Sequence, residues 1–306
     1  MKILLATQKP FSAAAVQGIK QIVEAAGHEL SVFEKYAEQS ELVAKVADAD
    51  ALIIRSDKVT AEVLDAAKKL KIVVRAGAGY DNVDIEAATA HKVVVMNTPG
   101  QNANAVAELA IAMMIFMARN QFTPATGSEI LGKTLGIQAF GNVGRLVGRK
   151  AVALGMKVKA IDPFLSAEKI IEGGAEPAKS LEELYGTCDY ISIHIPATPE
   201  TISSIGYELL SKMPKGATLV NTARKEVIDE AGLARALEER QDLKYVTDVA
   251  PDNYAELKEK FGLRIFATPK KMGAQSAEAN LNAGLAAARQ IVDFFATGCT
   301  KFQVNK

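Results

Sequence analysis

Short runs of Val, Ile and Leu recur along the chain, each followed by a longer stretch in which apolar residues return every three or four positions. KILLAT (2–7), ELSVFE (29–34), ALIIR (51–55), IVVR (72–75) and VVVM (93–96) form a first series of predicted strands. TLGIQAF (134–140), MKVKAID (156–162), YISIHI (190–195), ATLVNT (217–222), KYVTDV (244–249) and RIFAT (264–268) form a second. The stretches between them, such as FSAAAVQGIKQIVEAAG and TAEVLDAAKKL, have helical spacing. Strands that are apolar at consecutive positions are buried on both faces, as in parallel sheets. Right-handed crossovers then give an α/β fold of two doubly wound, Rossmann-like parallel-sheet domains with an inter-domain cleft. The apolar run at 103–120 joins the two series, and a further helix is expected near 275–297.

Composition agrees with two buried cores, since 306 residues at 49% hydrophobic suffice for both. The 36 basic and 36 acidic side chains balance, which disfavours a nucleic-acid or membrane-surface binder relying on a basic excess. Cys188 and Cys299 form neither a metal spacing nor a disulfide framework, so a reducing cytosol is expected and no metal. MKILLAT is too short for a signal-peptide core, and AVAELAIAMMIFMAR (105–119) contains Glu108 and is too short to span a membrane.

The first candidate chemistry is AFGNVG (139–144), placed between a predicted strand and an amphipathic helix. Gly141 would let the backbone approach a pyrophosphate, Gly144 would let helix pack on strand, and the helix N-terminus would supply N–H donors. Asp162, eighteen residues past Gly144 at the end of the next strand, would accept from ribose hydroxyls and repel a 2′-phosphate, favouring NAD over NADP. The first glycine of the G-x-G-x-x-G pattern is replaced by Ala139, at a cost of about 1 kcal/mol if its φ is positive.

With that turn in place, RAGAGYDNVD (75–84), VVMNTPG (94–100), GKTLGIQAFGNVGR (132–145), HIPATPET (194–201), LVNTAR (219–224), TPKKMGAQSAEA (268–279) and the ending FQVNK resemble the D-2-hydroxyacid dehydrogenases, in the family's order and almost end to end. The resemblance is to a short form without the C-terminal regulatory domain that many phosphoglycerate-oxidising members carry. It implies a substrate-binding domain at 1–98 plus 283–306, an NAD-binding domain at 99–282, and a homodimer built through the NAD-binding domains. The helix at 105–119 suits that contact or simple burial equally. The segment RNQFTPATGSEI (119–130) is shorter than the family's, which removes a stretch able to reach across a dimer.

The resemblance also implies roles. Asn142 and Val143 join Gly141, Gly144 and Asp162 on the cofactor, with His194, Pro196, Thr222 and Ala223 lining it and Asp248 contacting the nicotinamide carboxamide. Arg224, at a strand's C-terminal end, is placed to bind a carboxylate and polarise a carbonyl. The amides of Ala76, Gly77 and Ala78 would cradle a carboxylate, and Arg55, Ser56, Lys58 and Arg75 are candidates for a substrate phosphate. Family members carry a histidine after T-P, backed by a glutamate. Here Lys270 stands at the histidine position, and VAPDNY offers only Asp252 and Asn253 near the glutamate position. A lysine starts near ~10.4 and needs its pKa lowered to serve as a base, which Arg224, burial and the missing carboxylate would all favour. Lys270 is therefore expected to replace the histidine as general acid/base, with a purely electrostatic anchor as the alternative; Lys271 would face solvent or phosphate. The expected activity is NAD-dependent oxidation of 3-phospho-D-glycerate to 3-phosphooxypyruvate, the entry to serine synthesis. A glyoxylate or hydroxypyruvate reductase is the nearest alternative, and an NAD-sensing corepressor a more distant one.

Overall fold

The computed structural model describes residues 1–305; Lys306, which closes FQVNK, lies outside the described residues. The chain divides into two compact units, one made of Met1–Asn102 and the segment from Gln275 on, the other of Ala103–Ala274.

The first unit begins with β1 (Lys2–Thr7), α1 (Ala13–Ala25), β2 (Glu29–Glu34), α2 (Gln39–Val46), β3 (Ala51–Ile54), α3 (Ala61–Ala66), β4 (Ile72–Arg75), α4 (Ile85–Ala90) and β5 (Val94–Asn97). Its five strands are all parallel, in the order β2-β1-β3-β4-β5. Successive side chains point to opposite faces of the sheet. Leu4, Leu52, Ile54, Val73 and Val95 thus enter one core, while Ile3, Leu5, Ile53, Ile72 and Val74 enter the other. That two-sided burial is why these strands read as unbroken apolar runs.

The second unit contains α5 (Ala103–Ala118), β6 (Thr134–Gln138), α6 (Asn142–Ala153), β7 (Lys157–Ile161), α7 (Ala167–Glu172), β8 (Glu176–Pro177), α8 (Leu181–Thr187), β9 (Tyr190–Ile193), α9 (Tyr207–Leu210), β10 (Thr218–Asn221), α10 (Glu230–Glu239), β11 (Lys244–Thr247), α11 (Tyr254–Phe261) and β12 (Ile265–Ala267). Its parallel strands run β12-β11-β10-β9-β6-β7-β8, so the winding reverses between β6 and β9. Open α/β sheets bind ligands at such a reversal, beyond the strands' C-terminal ends. The apolar helix α5 packs on α6, β10 and β11 of its own unit, and its Ala107, Ala110, Met114 and Met117 are buried there. It ends in three consecutive left-handed, non-glycine residues, Asn120, Gln121 and Phe122. Gln121 Nε2 holds that turn by donating to Leu263 O at 2.9 Å.

The last helix, α12 (Ala277–Thr297), belongs wholly to the first unit. Ser276 caps it, its Oγ accepting from Ala279 N at 3.0 Å, and Ala283, Ala287 and Ile291 sit in the core against α1. The compact units meet at 102/103 and 274/275, where 98/99 and 282/283 were expected, because α12 is one continuous capped helix packed on the first unit. Beyond it, the tail seals the sheet edge at β5. Val304 N donates to Val95 O at 2.8 Å, and buried Asn305 accepts from Val95 N and donates to Val93 O, each at 2.8 Å. An otherwise open strand edge is thereby covered.

Candidate active site

In the second unit, the chain leaves β6 through Ala139 and Phe140 and enters α6 at Gly141, the N-cap. No side chain caps this end, and no acidic residue sits in the first turn. The helix therefore presents backbone N–H groups and its positive dipole end to whatever lies there. A Cβ built on Gly141 would meet nothing within 4 Å, which leaves room for a close ligand. A Cβ on Gly144 would lie 2.3 Å from Ala139 O, so that glycine serves helix-to-strand contact. Ala139 does adopt positive φ, at 72°. Its amide is fixed to Ile161 O at 2.9 Å. Left-handed backbone costs a residue with a Cβ roughly 1–2 kcal/mol, while glycine gains flexibility when unfolded. Ala139→Gly is therefore expected to raise unfolding stability by up to about 1 kcal/mol, read from the midpoint of denaturant unfolding at unchanged slope. A loss of stability would contradict the strain assigned to this turn.

Asp162 stitches the turn to the end of β7. Its Oδ2 accepts from Phe140 N and its Oδ1 from Phe164 N, both at 2.9 Å. Each oxygen keeps a second lone-pair direction for a ribose hydroxyl. Across the winding reversal, His194 follows β9; its Nε2 lies 3.0 Å from Ser192 Oγ. Burial of the ring pushes its pKa well below the usual imidazole range, although the residue keeps part of its surface in solvent. A neutral ring suits a cofactor-side residue and not a proton carrier at neutral pH. Pro196 is exposed, whereas Thr222 and Ala223 are buried at the end of β10. Thr222 Oγ1 is buried without a hydrogen-bond partner among the described residues. An orphaned buried hydroxyl, an uncapped helix N-terminus and an open glycine together fit a dinucleotide.

Arg224 leaves β10 on a braced loop. Fully buried Asn221 donates from Nδ2 to Arg224 O and accepts from Ala223 N, each at 2.9 Å. A cavity of about 310 Å³ within this unit is lined by Arg224, Lys225, Glu226, Asp248, Thr268 and Lys270, among others. Arg224 and Lys270, far apart in sequence, thus share one cavity at the C-terminal ends of β10 and β12. Lys270 and Lys271 both line it and both are exposed, so the burial expected at Lys270 is not found. Asp248 is 1% exposed, and its carboxylate accepts from Thr268 Oγ1, Met272 N and Gly273 N. Asp252 forms an ion pair with Lys225, and the amides of Asp252 and Asn253 point to Glu230. Neither therefore stands as a carboxylate partner of Lys270 among the described contacts.

In the first unit, Ser56 and Lys58 are exposed on the loop after β3, while Asp57 beneath them is buried and accepts from Gln8 N, Tyr36 Oη and Arg55 N. The Arg55 guanidinium donates to Lys9 O, Pro10 O and Asn280 Oδ1 and lies over the Phe11 ring. Much of its donor set is thus committed. Arg75 Nε donates to Arg55 O, and its guanidinium passes so close over Gly77 that a Cβ there would lie 1.5 Å from Nη1. The amides of Ala76 and Gly77 donate inward, to Ile54 O and Arg75 O. Exposed Ala78 is the remaining member of the expected cradle.

Several of these features escape sequence reading. Thr268 and Asp57 reach partners distant in the chain, Asp248 and Gln8, while Asn221 braces its neighbours Ala223 and Arg224 through a side chain that looks like any other at a strand end. Among the described residues no group of three or more His, Cys, Asp and Glu is arranged to hold a metal, and no helix is long and apolar enough to cross a membrane.

Known proteins fit this arrangement. The family model for the D-isomer specific 2-hydroxyacid dehydrogenase catalytic domain matches residues 5–305. An NAD⁺-bound 3-phosphoglycerate dehydrogenase of Entamoeba histolytica is 52% identical, with a TM-score of 0.90, covering 100% of this chain and 99% of that one. The D-3-phosphoglycerate dehydrogenase of Rattus norvegicus is 38% identical over 284 residues, 86% of this chain and 52% of its own length. That of Methanocaldococcus jannaschii is 37% identical over 268 residues, 83% of this chain and 51% of its own. The chain spans about half the length of these two curated relatives. With a match across nearly every described residue, and a phosphate turn and an arginine loop at the strand ends where ligands bind, the chain belongs to the D-isomer specific 2-hydroxyacid dehydrogenase family.

Proposed function

We propose that this protein is an NAD-dependent D-3-phosphoglycerate dehydrogenase, oxidising 3-phospho-D-glycerate to 3-phosphooxypyruvate at the entry to serine synthesis. The observation that carries the reading is the single cavity lined by both Arg224 and Lys270. NAD, when bound, supplies the hydride acceptor. Gly141, Asn142, Val143 and Gly144 would hold its pyrophosphate, Asp162 its adenine ribose, and His194, Pro196, Thr222, Ala223 and Asp248 the remainder. The planar Arg224 fork binds the substrate carboxylate and polarises the reacting oxygen. In oxidation the Lys270 amine takes the hydroxyl proton, and in reduction the ammonium returns it. In the first unit, the candidates for substrate contact are the Ala78 amide, since those of Ala76 and Gly77 are engaged inward, together with Ser56, Lys58, Arg75 and the remaining donors of Arg55.

The substrate-binding and cofactor-binding domains of this reading correspond to the first and second units. A homodimer through the cofactor-binding domains and a cytosolic setting complete it. Support comes from the similarity to the NAD⁺-bound 3-phosphoglycerate dehydrogenase of Entamoeba histolytica and the D-3-phosphoglycerate dehydrogenase of Rattus norvegicus, and from Asp162, a carboxylate that disfavours a 2′-phosphate. Steady-state rates with 3-phosphooxypyruvate, hydroxypyruvate and glyoxylate, each with NADH and NADPH, test the assignment. The expected order places 3-phosphooxypyruvate with NADH first in kcat/KM. A preference for an unphosphorylated oxo acid would replace it with a reductase, and tight NADH binding without turnover would replace it with a binding protein.

A further inference from the structure

We infer that Asp248 and Thr268 form a clasp that positions Lys270, making Thr268 a positioning residue for proton transfer. The inference rests on the reading of Lys270 as acid/base and extends it to the backbone that carries that side chain.

The clasp follows from burial and donor geometry. Asp248 ends β11 with its carboxylate out of solvent, 1% exposed. A buried carboxylate needs donors to replace its hydration. Among the described residues, those donors come from the loop after β12. Thr268 Oγ1 lies 2.7 Å from Asp248 Oδ1, Met272 N lies 2.9 Å from Oδ1 and 3.1 Å from Oδ2, and Gly273 N lies 2.7 Å from Oδ2. Hydrogen bonds to an ionised acceptor are about twice as strong as neutral ones.

Thr268 also bridges its own loop. The same hydroxyl lies 2.9 Å from Lys270 O, so its one proton is shared between the carboxylate and the backbone that bears the lysine. Thr268 N donates to Thr247 O at 3.0 Å, fixing the loop's start to β11. Its far end is equally confined. A Cβ on Gly273 would lie 3.0 Å from Asp248 Oδ2 and 3.4 Å from Val106 Cγ2 of α5, so the loop is wedged between carboxylate and helix. Lys270 stands between two pinned points, residues 268 and 272, with its side chain exposed toward the cavity that Arg224 lines. A long flexible side chain is useful for proton transfer only if its root is held, since misplacement by about 1 Å can cost roughly 10²-fold in rate.

Thr268→Val removes the hydroxyl and keeps the shape. It is expected to lower kcat by at least about tenfold while the NADH dissociation constant stays within about threefold, and Thr268→Ser is expected to restore kcat. Hydrogen exchange at the amides of Met272 and Gly273 is expected to quicken in Thr268→Val and more so in Asp248→Asn, which turns an amide donor toward backbone donors. Unchanged kcat in Thr268→Val, or equal loss in the Ser variant, overturns the positioning role. Weakened NADH binding in Asp248→Asn with unchanged exchange overturns the clasp. The underlying reading fails separately: if Lys270→Ala keeps near-normal turnover, Lys270 is not the acid/base, and the exchange rates still decide whether the clasp holds the loop.

Discussion

Replacing Lys270 with alanine is expected to lower kcat by roughly 10²–10⁴-fold, the span that a positioned general acid/base contributes. NADH affinity is expected to be retained, because Lys270 is exposed in the cavity shared with Arg224 while the phosphate turn lies at the start of α6. Lys270→Arg separates the two roles open to a lysine. An arginine keeps the positive charge but cannot give up its proton under protein conditions. If Lys270 moves a proton, the arginine variant stays as slow as the alanine variant. If it only anchors substrate oxygens, the arginine variant recovers most of the rate, and the acid/base assignment is then lost. The pairing of Asp252 with Lys225 sharpens this test, since the carboxylate nearest in sequence to the family's glutamate is already engaged.

Arg224→Lys is expected to be nearly as damaging as Arg224→Gln. A point-charge ammonium cannot reproduce two parallel N–H bonds to a carboxylate or meet a developing oxyanion in the same plane. Losing one such donor costs about 10²–10³-fold, so kcat/KM for the oxo acid should fall by that order, with NADH binding and the thermal midpoint little changed. The backbone of the arginine is fixed by Asn221 independently of its side chain, which is why stability should be spared. Retention of kcat/KM within about threefold in the lysine variant would remove Arg224 from the role of carboxylate fork.

Much of the fold is written locally. β3, β9 and β10 are buried at every position, and such strands betray themselves as apolar runs. β8 left no signal, being two residues at a sheet edge, one charged and one a proline. The phosphate turn was legible because its chemistry is contiguous, and the positive φ at Ala139 was the condition under which its departure from glycine would cost energy. Arg224 and Lys270 were legible as residue types at strand ends, but their shared cavity depends on strand order, which periodicity does not encode. The Asp248 clasp was illegible for the same reason. Its two partners are twenty residues apart, and a buried threonine before proline looks like any other turn residue. The limits of the two units differ from the expected 98/99 and 282/283, because apolar spacing marks a helix without saying which sheet it covers.

The two-part composition of the first unit has a consequence for how the chain is made. Its sheet is complete after Asn97, yet the face bearing Ile3, Leu5, Ile53 and Ile72 is covered in part by α12, which is translated only after the whole of the second unit. At typical synthesis rates that interval is on the order of ten to forty seconds. During it the second unit, being contiguous, can fold as it emerges, while the first holds an apolar surface open and waits. Nascent chains of this protein should therefore depend on chaperone cover through their first hundred or so residues, a dependence that stems from chain order and not from any weakness in the finished fold.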